Sequence, residues 1–249
     1  MSRLLILGGT TEAAHLARLL VPAHDVVTAL AGRTAAPAGL AGAVRIGGFG
    51  GAEGLEASLR AEQFDAVIDA THPFAARISA HAATACAAAG VRLLALRRPS
   101  WSREAGDHWI MAESMAEAAR LLPGLGRRAF LAVGRQELAA FSAVSGVWLL
   151  VRLLAPENLA LPEHHVVLGR GPFRVEDETA LLREHGIEVV VTKESGGAAT
   201  YAKIAAARAQ SLPVLMIRRP PLVEAVETVS GVEAAVEWVG ALAEAMESP

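Results

Sequence analysis

Cysteine is almost missing from this chain, with Cys86 alone among 249 residues. That excludes a disulfide framework and a cysteine-cluster metal site, and it fits a reducing cytoplasm. Aromatic side chains make up only 4% of residues, which argues against a platform on which nucleic-acid bases stack. The formal net charge of -3 lacks a basic excess, so no nucleic-acid partner is expected. A membrane-crossing helix needs about 18 uninterrupted apolar residues, and no such run occurs. The N-terminus enters a strand pattern directly, without a basic region and an isolated apolar leader. What the chain has in quantity is apolar residues, 53% of the total, enough for one large or two small domains.

The stretch Arg3-Leu4-Leu5-Ile6-Leu7-Gly8-Gly9-Thr10-Thr11-Glu12 organises the rest. Leu4 to Leu7 is too short for a helix and apolar on both faces, as a buried parallel strand is. Gly8 and Gly9 allow positive φ and close approach of a ligand to the backbone. Thr10 or Thr11 caps the helix that follows and leaves its first N–H groups facing an anion. This outlines a phosphate cradle or a purely structural first turn, the full G-x-G-x-x-G spacing being absent.

Asp25 to Leu30 reads as a second strand, ending near Arg33. In a dinucleotide fold this position meets the adenosine ribose, and arginine in place of an acid favours a 2′-phosphate. Arg33 therefore selects NADPH, or is simply a solvated loop residue. Val44 to Ile46 leads into Gly47-Gly48-Phe49-Gly50-Gly51, where a flat ligand can approach the backbone. Asp65 to Ala70 is a fourth strand, with Thr71-His72-Pro73 at its carboxyl end, the edge where ligands bind in open α/β sheets. His72 either serves a carboxamide or phosphate there or caps the next helix. Val91 to Leu96 is a fifth strand, and Arg97 to Trp101 reads as a linker, with Trp101 packing between domains.

The second half repeats the rhythm, with strands at His108 to Met111, Arg128 to Val133, Val147 to Leu153, His164 to Leu168, Glu188 to Val191 and Val214 to Ile217. Their carboxyl-end loops carry Gly134-Arg135-Gln136, Arg152, Arg170, Lys193-Glu194-Ser195-Gly196-Gly197 and Arg218-Arg219. Cations recurring at one edge point to a polyanionic ligand, and Glu194 to Gly197 reads as a backbone anion nest. His164 and His165 point to opposite faces of a strand, so no metal site is expected. Serine lies in no G-x-S-x-G elbow. The reading is an α/β enzyme of two Rossmann-like, doubly wound parallel-sheet domains, residues 1–98 binding NADPH and residues 99–249 binding substrate, with the active site in the cleft between them.

Leu7-Gly8-Gly9-Thr10-Thr11-Glu12-Ala13, Ala31-Gly32-Arg33, Gly47 to Gly51, Asp69 to Ala75, Gly134-Arg135 and Thr192 to Gly197, in this order and spacing, resemble the precorrin-6A reductase family of cobalamin biosynthesis. The resemblance spans nearly the whole chain. It implies NAD(P)H-dependent reduction of one double bond in the precorrin-6A macrocycle, giving precorrin-6B, with hand-over to neighbouring corrin-pathway enzymes. It leaves open a metal-free or a cobalt-containing substrate, Arg33 favouring NADPH and the metal-free route. Arg135, Arg152, Arg170 and Lys193 would then hold the substrate's carboxylate arms. Hydride transfer depends mainly on orientation, and the proton comes from solvent, from the pyrrolic nitrogens, or from a side chain such as His72 or Tyr201. A small-alcohol or sugar dehydrogenase is disfavoured, since Tyr201-Ala202-Lys203 lacks Tyr-x-x-x-Lys spacing. A non-catalytic NADP-binding regulator would place the cationic loops against a partner protein.

Overall fold

The computed structural model describes residues 1–32, 39–221 and 226–247. In chain order the first elements are β1 (Arg3–Leu7), α1 (Thr11–Leu20), β2 (Asp25–Leu30), β3 (Ala43–Ile46), α2 (Ala52–Ala61), β4 (Ala66–Asp69), α3 (Ala76–Ala89) and β5 (Arg92–Leu96). There follow β6 (His108–Ala112), α4 (Met115–Leu121), β7 (Arg128–Ala132), β8 (Trp148–Leu153), β9 (His164–Leu168), α5 (Val175–Glu184), β10 (Val189–Lys193), α6 (Ala202–Ala209) and β11 (Pro213–Ile217). The last are β12 (Glu227–Val229) and α7 (Val232–Glu247).

These elements form two compact units, Met1–Arg98 with Pro220–Pro249, and Pro99–Arg219. The first holds a parallel sheet of order β12-β5-β4-β1-β2-β3. The second holds a parallel sheet of order β6-β11-β10-β7-β8-β9. The expected second domain of residues 99–249 is thus corrected at its C-terminal end. β12 pairs with β5, and the Arg97 N–H donates to Val229 O at 2.8 Å. α7 buries Ala235, Val239 and Leu242 against Leu4, Ile6 and Leu16, so the last helix closes the first unit's core.

Strand alternation explains how β1 serves two layers. Leu4 and Ile6 face α1 and α7, whereas Leu5 and Leu7 face Leu55, Leu59, Ala82 and Ala85 of α2 and α3. Each of these fully buried leucine and isoleucine side chains contributes about 1.5–3 kcal/mol. In the second unit Phe130, Leu150, Val190, Val214 and Met216 pack against Leu182 of α5 and Ile204 and Ala207 of α6. Among the described residues no helix is long and apolar enough to cross a membrane.

Candidate active site

In the first sheet the strand order reverses between β1 and β4, the switch point at which doubly wound folds hold ligands. Gly8 leaves β1 by donating to Ala29 O at 2.9 Å, and a Cβ there would lie 2.8 Å from Thr28 Cγ2. Gly9 has φ +111, and a Cβ would meet nothing within 4 Å, so its missing side chain leaves open space. Thr10 is the N-cap of α1. Its Oγ1 accepts from the Ala13 N–H at 3.1 Å and donates to Ala70 O at 2.7 Å, tying the β1 loop to the β4 loop.

Thr11 Oγ1 donates to the Glu12 carboxylate at 3.0 Å, and Arg98 donates to both its oxygens at 3.2 Å. Burial pushes the Glu12 carboxyl up, but its own backbone N–H, Arg98 and Thr11 more than offset this and hold it below its ordinary value. Thr10, Glu12, Thr71, Pro73 and Arg98 line a small cavity of about 10 Å³.

The β4 side is fixed by a buried ion pair that the sequence reading missed. Asp69 Oδ1 accepts from the Thr71 N–H at 3.1 Å and the Thr71 hydroxyl at 2.6 Å. Its other oxygen meets Arg97 Nη2 at 2.7 Å, with side chains only 3% and 8% exposed. Arg97 also donates to Thr71 O at 3.3 Å and Ser79 Oγ at 2.7 Å. His72 Nδ1 accepts from the Phe74 N–H at 3.2 Å, so the neutral ring carries its proton on Nε2. Gly47 (φ +121) and Gly48 leave open space, whereas Phe49 packs into the core under the Arg45 guanidinium, 4.5 Å from its ring centre. Arg33 lies outside the described residues. The open glycine turn, the capped helix end and the braced Thr71 loop fit a dinucleotide.

The second sheet reverses between β7 and β10. The loops after these strands meet where Lys193 Nζ donates to Glu137 Oε1 at 2.8 Å. Gln136 is exposed, as is Arg135, which pairs with Glu157 at 2.6 Å. The Glu194 to Gly197 turn is clamped by Arg219, which donates to Glu194 O at 2.7 Å and to Ser195 O and Pro99 O at 3.1 Å. Gly196 is buried with φ +67, and a Cβ there would strike Pro99 O.

The expected row of free cations is smaller than the sequence suggests. Arg152 is bound by buried Glu178 at 2.7 Å, with the Phe130 and Phe173 ring centres at 4.8 and 4.0 Å. Arg170 is exposed and has no ion-pair partner among the described residues.

Beside this edge opens a cleft of about 540 Å³ lined by Trp101, Glu104, Phe173, Gly197 and Tyr201. Trp101 belongs to this unit. Its Nε1–H donates to Gly197 O at 2.8 Å, its ring lies 5.9 Å from that of Tyr201, and Lys203 Nζ stands 5.3 Å from its ring centre. The Tyr201 hydroxyl donates to Glu104 and accepts from Arg208. Burial and Glu104 hold the Tyr201 hydroxyl above its ordinary value, against the opposing pull of Arg208. Asp107 grips Arg208 at 2.8 and 3.2 Å. Burial pushes the Asp107 carboxyl up, but Arg208 and the Glu104 N–H outweigh it and leave it lowered. The scarcity of aromatics was the signal that could have marked Trp101. Among the described residues no group of three or more His, Cys, Asp or Glu is placed to hold a metal ion.

Compared with known families, residues 3–240 match the model of precorrin-6x reductase CbiJ/CobK. The chain belongs to the precorrin-6x reductase family. One relative of that family is the precorrin-6A reductase of Rhodococcus erythropolis, 54% identical over 97% of this chain and 99% of its own. Further off stands the cobalt-precorrin-6A reductase of Salmonella typhimurium, 31% identical over 88% of each chain. The solved structure of CobK precorrin-6A reductase matches with a TM-score of 0.91 at 45% identity, covering 97% of each chain. A Rossmann-like fold in a reductase family points to a nicotinamide dinucleotide as reductant.

Proposed function

We propose that the chain reduces precorrin-6A to precorrin-6B with NADPH, within cobalamin biosynthesis. The observation that carries this reading is the full-length likeness to a solved precorrin-6A reductase. The switch-point cradle of Gly8, Gly9, Thr10 and the Thr71 turn supports it from the chemical side. Metal-free precorrin is favoured over cobalt-precorrin because the relative named for the metal-free substrate is 54% identical and the one named for the cobalt form 31%.

When bound, the nicotinamide supplies the hydride. The chain's own residues position it: the α1 N-terminus and the Gly8–Gly9 turn receive the pyrophosphate, and Thr10 and Asp69 brace the loops around it. Arg33 receives the 2′-phosphate. Arg170, Arg135 and Lys193 receive carboxylate arms, Lys193 by exchanging Glu137 for the substrate. The product passes to a neighbouring corrin-pathway enzyme, in a cytoplasmic setting.

The deciding experiment incubates the purified chain with NADPH and precorrin-6A and follows macrocycle absorbance together with NADPH oxidation. Coupled changes are expected, and no change in either refutes the assignment. Arg33→Ala should weaken NADPH binding by roughly 1.5–3 kcal/mol more than NADH binding. Equal weakening of both would remove Arg33 from the 2′-phosphate.

A further inference from the structure

The Tyr201 cluster in the second unit's cleft combines a proton donor, a cation and a path to solvent. Glu104 is 56% exposed at its side chain, whereas Asp107, its neighbour three residues on, is 1% exposed. Arg208 is held bidentately by Asp107 and donates to Glu104 Oε2 at 2.9 Å as well as to Tyr201. Glu104 and Tyr201 both line the cleft of about 540 Å³, beside the Trp101 and Phe173 rings. The charged groups around the pair are Asp107 on the Glu104 loop and Arg208 and Lys203 on α6, Lys203 standing over the Trp101 ring.

We propose that Tyr201 protonates a macrocycle nitrogen during the reduction, with Arg208 stabilising the phenolate left behind and Glu104 returning a proton from solvent. This rests on precorrin-6A being the substrate. The hydride forms a C–H bond with two electrons, and the C=C–C=N electron pair shifts to nitrogen. That nitrogen takes the Tyr201 proton as the O–H bond breaks and an N–H bond forms. A solvent proton passing through Glu104 restores the phenol, so one hydride and one proton are added and nothing else is consumed. Tyr201 carries its proton at neutral pH, because burial and the Glu104 carboxylate favour the phenol. Arg208 already donates to the oxygen where negative charge would develop.

The test compares wild type, Tyr201→Phe and Glu104→Gln in turnover of precorrin-6A with NADPH. Tyr201→Phe should lower kcat by about 10²-fold or more, while KM for precorrin-6A and Kd for NADP⁺ stay within about threefold. Glu104→Gln should lose kcat that returns as imidazole buffer is raised at fixed pH and ionic strength, a response wild type lacks. Near-normal kcat in Tyr201→Phe, a loss confined to KM, or a Glu104→Gln rate indifferent to buffer overturns the proposal. Should Tyr201→Phe fail to fold, the buffer response of Glu104→Gln decides. A wild type that oxidises no NADPH with precorrin-6A refutes the substrate reading instead.

Discussion

Replacing Asp69 by Asn tests whether the switch point is braced by charge. Asn keeps Oδ1 for the Thr71 N–H and hydroxyl, which Asp69 now receives at 3.1 and 2.6 Å. What changes is the other oxygen, which becomes an NH₂ facing Arg97 Nη2, a donor set against a donor at a 2.7 Å contact. Arg97 has little else to neutralise it. Its remaining bonds go to the uncharged Thr71 O and Ser79 Oγ, and its Nε is buried without a partner. Removing one member of a buried pair costs about 3–5 kcal/mol, because the other charge stays buried and uncompensated. The lower end applies here, since Asn retains two of the three hydrogen bonds that Asp69 accepts.

About 3 kcal/mol corresponds to roughly 6–12 °C for a chain of this size. Calorimetry should find that loss in the transition of the unit that holds the pair. The double variant Asp69→Asn with Arg97→Gln removes both charges and should be more stable than the sum of the single losses predicts, by about 0.5–3 kcal/mol of coupling. A melting point within about 2 °C of wild type for Asp69→Asn, less than about 1 kcal/mol, would refute the argument. So would strict additivity in the double variant.

Three further outcomes follow from single side chains. Cys86 is buried, and burial, with Asp69 nearby, pushes its thiol up to about 12; a disulfide reagent at pH 8 should label it only in denaturant, and rapid labelling of the native chain would contradict this. Gly54→Ala in α2 would drive a Cβ into Phe49 O, a backbone atom, and should destabilise by about 1–3 kcal/mol, whereas Gly240→Ala in α7 meets open space and should stabilise by up to about 1 kcal/mol; denaturant midpoints of the same sign for both would be the wrong result. Asp107 has a lowered folded-state pKa, so its stabilisation is present above the unfolded value of 3.8 and is lost as pH falls through the folded value; the melting-point gap between wild type and Asp107→Asn should close in acid, and a gap unchanged from pH 7 to about 3 would contradict the sign.

The parallel strands were legible because a strand buried on both faces is an unbroken apolar run, as at Leu4–Leu7 and Ala129–Val133. β12 was not, being three residues of Glu-Thr-Val at an edge that becomes a strand only because β5 offers a ladder. Partnerships were hidden for a related reason. Arg152 stands at a strand end like a ligand-binding cation, but Glu178 that claims it comes 26 residues later, and Glu104 and Arg208 are 104 apart. Counting cations at a sheet edge therefore overestimates the charge free for an anion, because acids on the following helices subtract from it.

Arg97 and Arg98 show what this means for the site. Read as a linker, two adjacent arginines should both be solvated, yet their side chains are 8% and 15% exposed. Neighbouring residues at a strand end point to opposite sides, so Arg97 reaches Asp69 under the β4 loop while Arg98 reaches Glu12 at the mouth of α1. Each arginine fixes one wall of the same cradle, and an acid of the first unit answers each. Substituting Arg98 should thus raise the Kd for the nicotinamide dinucleotide, which a mere connecting segment would not produce, and substituting Arg97 should raise it along with the loss of stability expected from breaking its buried pair with Asp69.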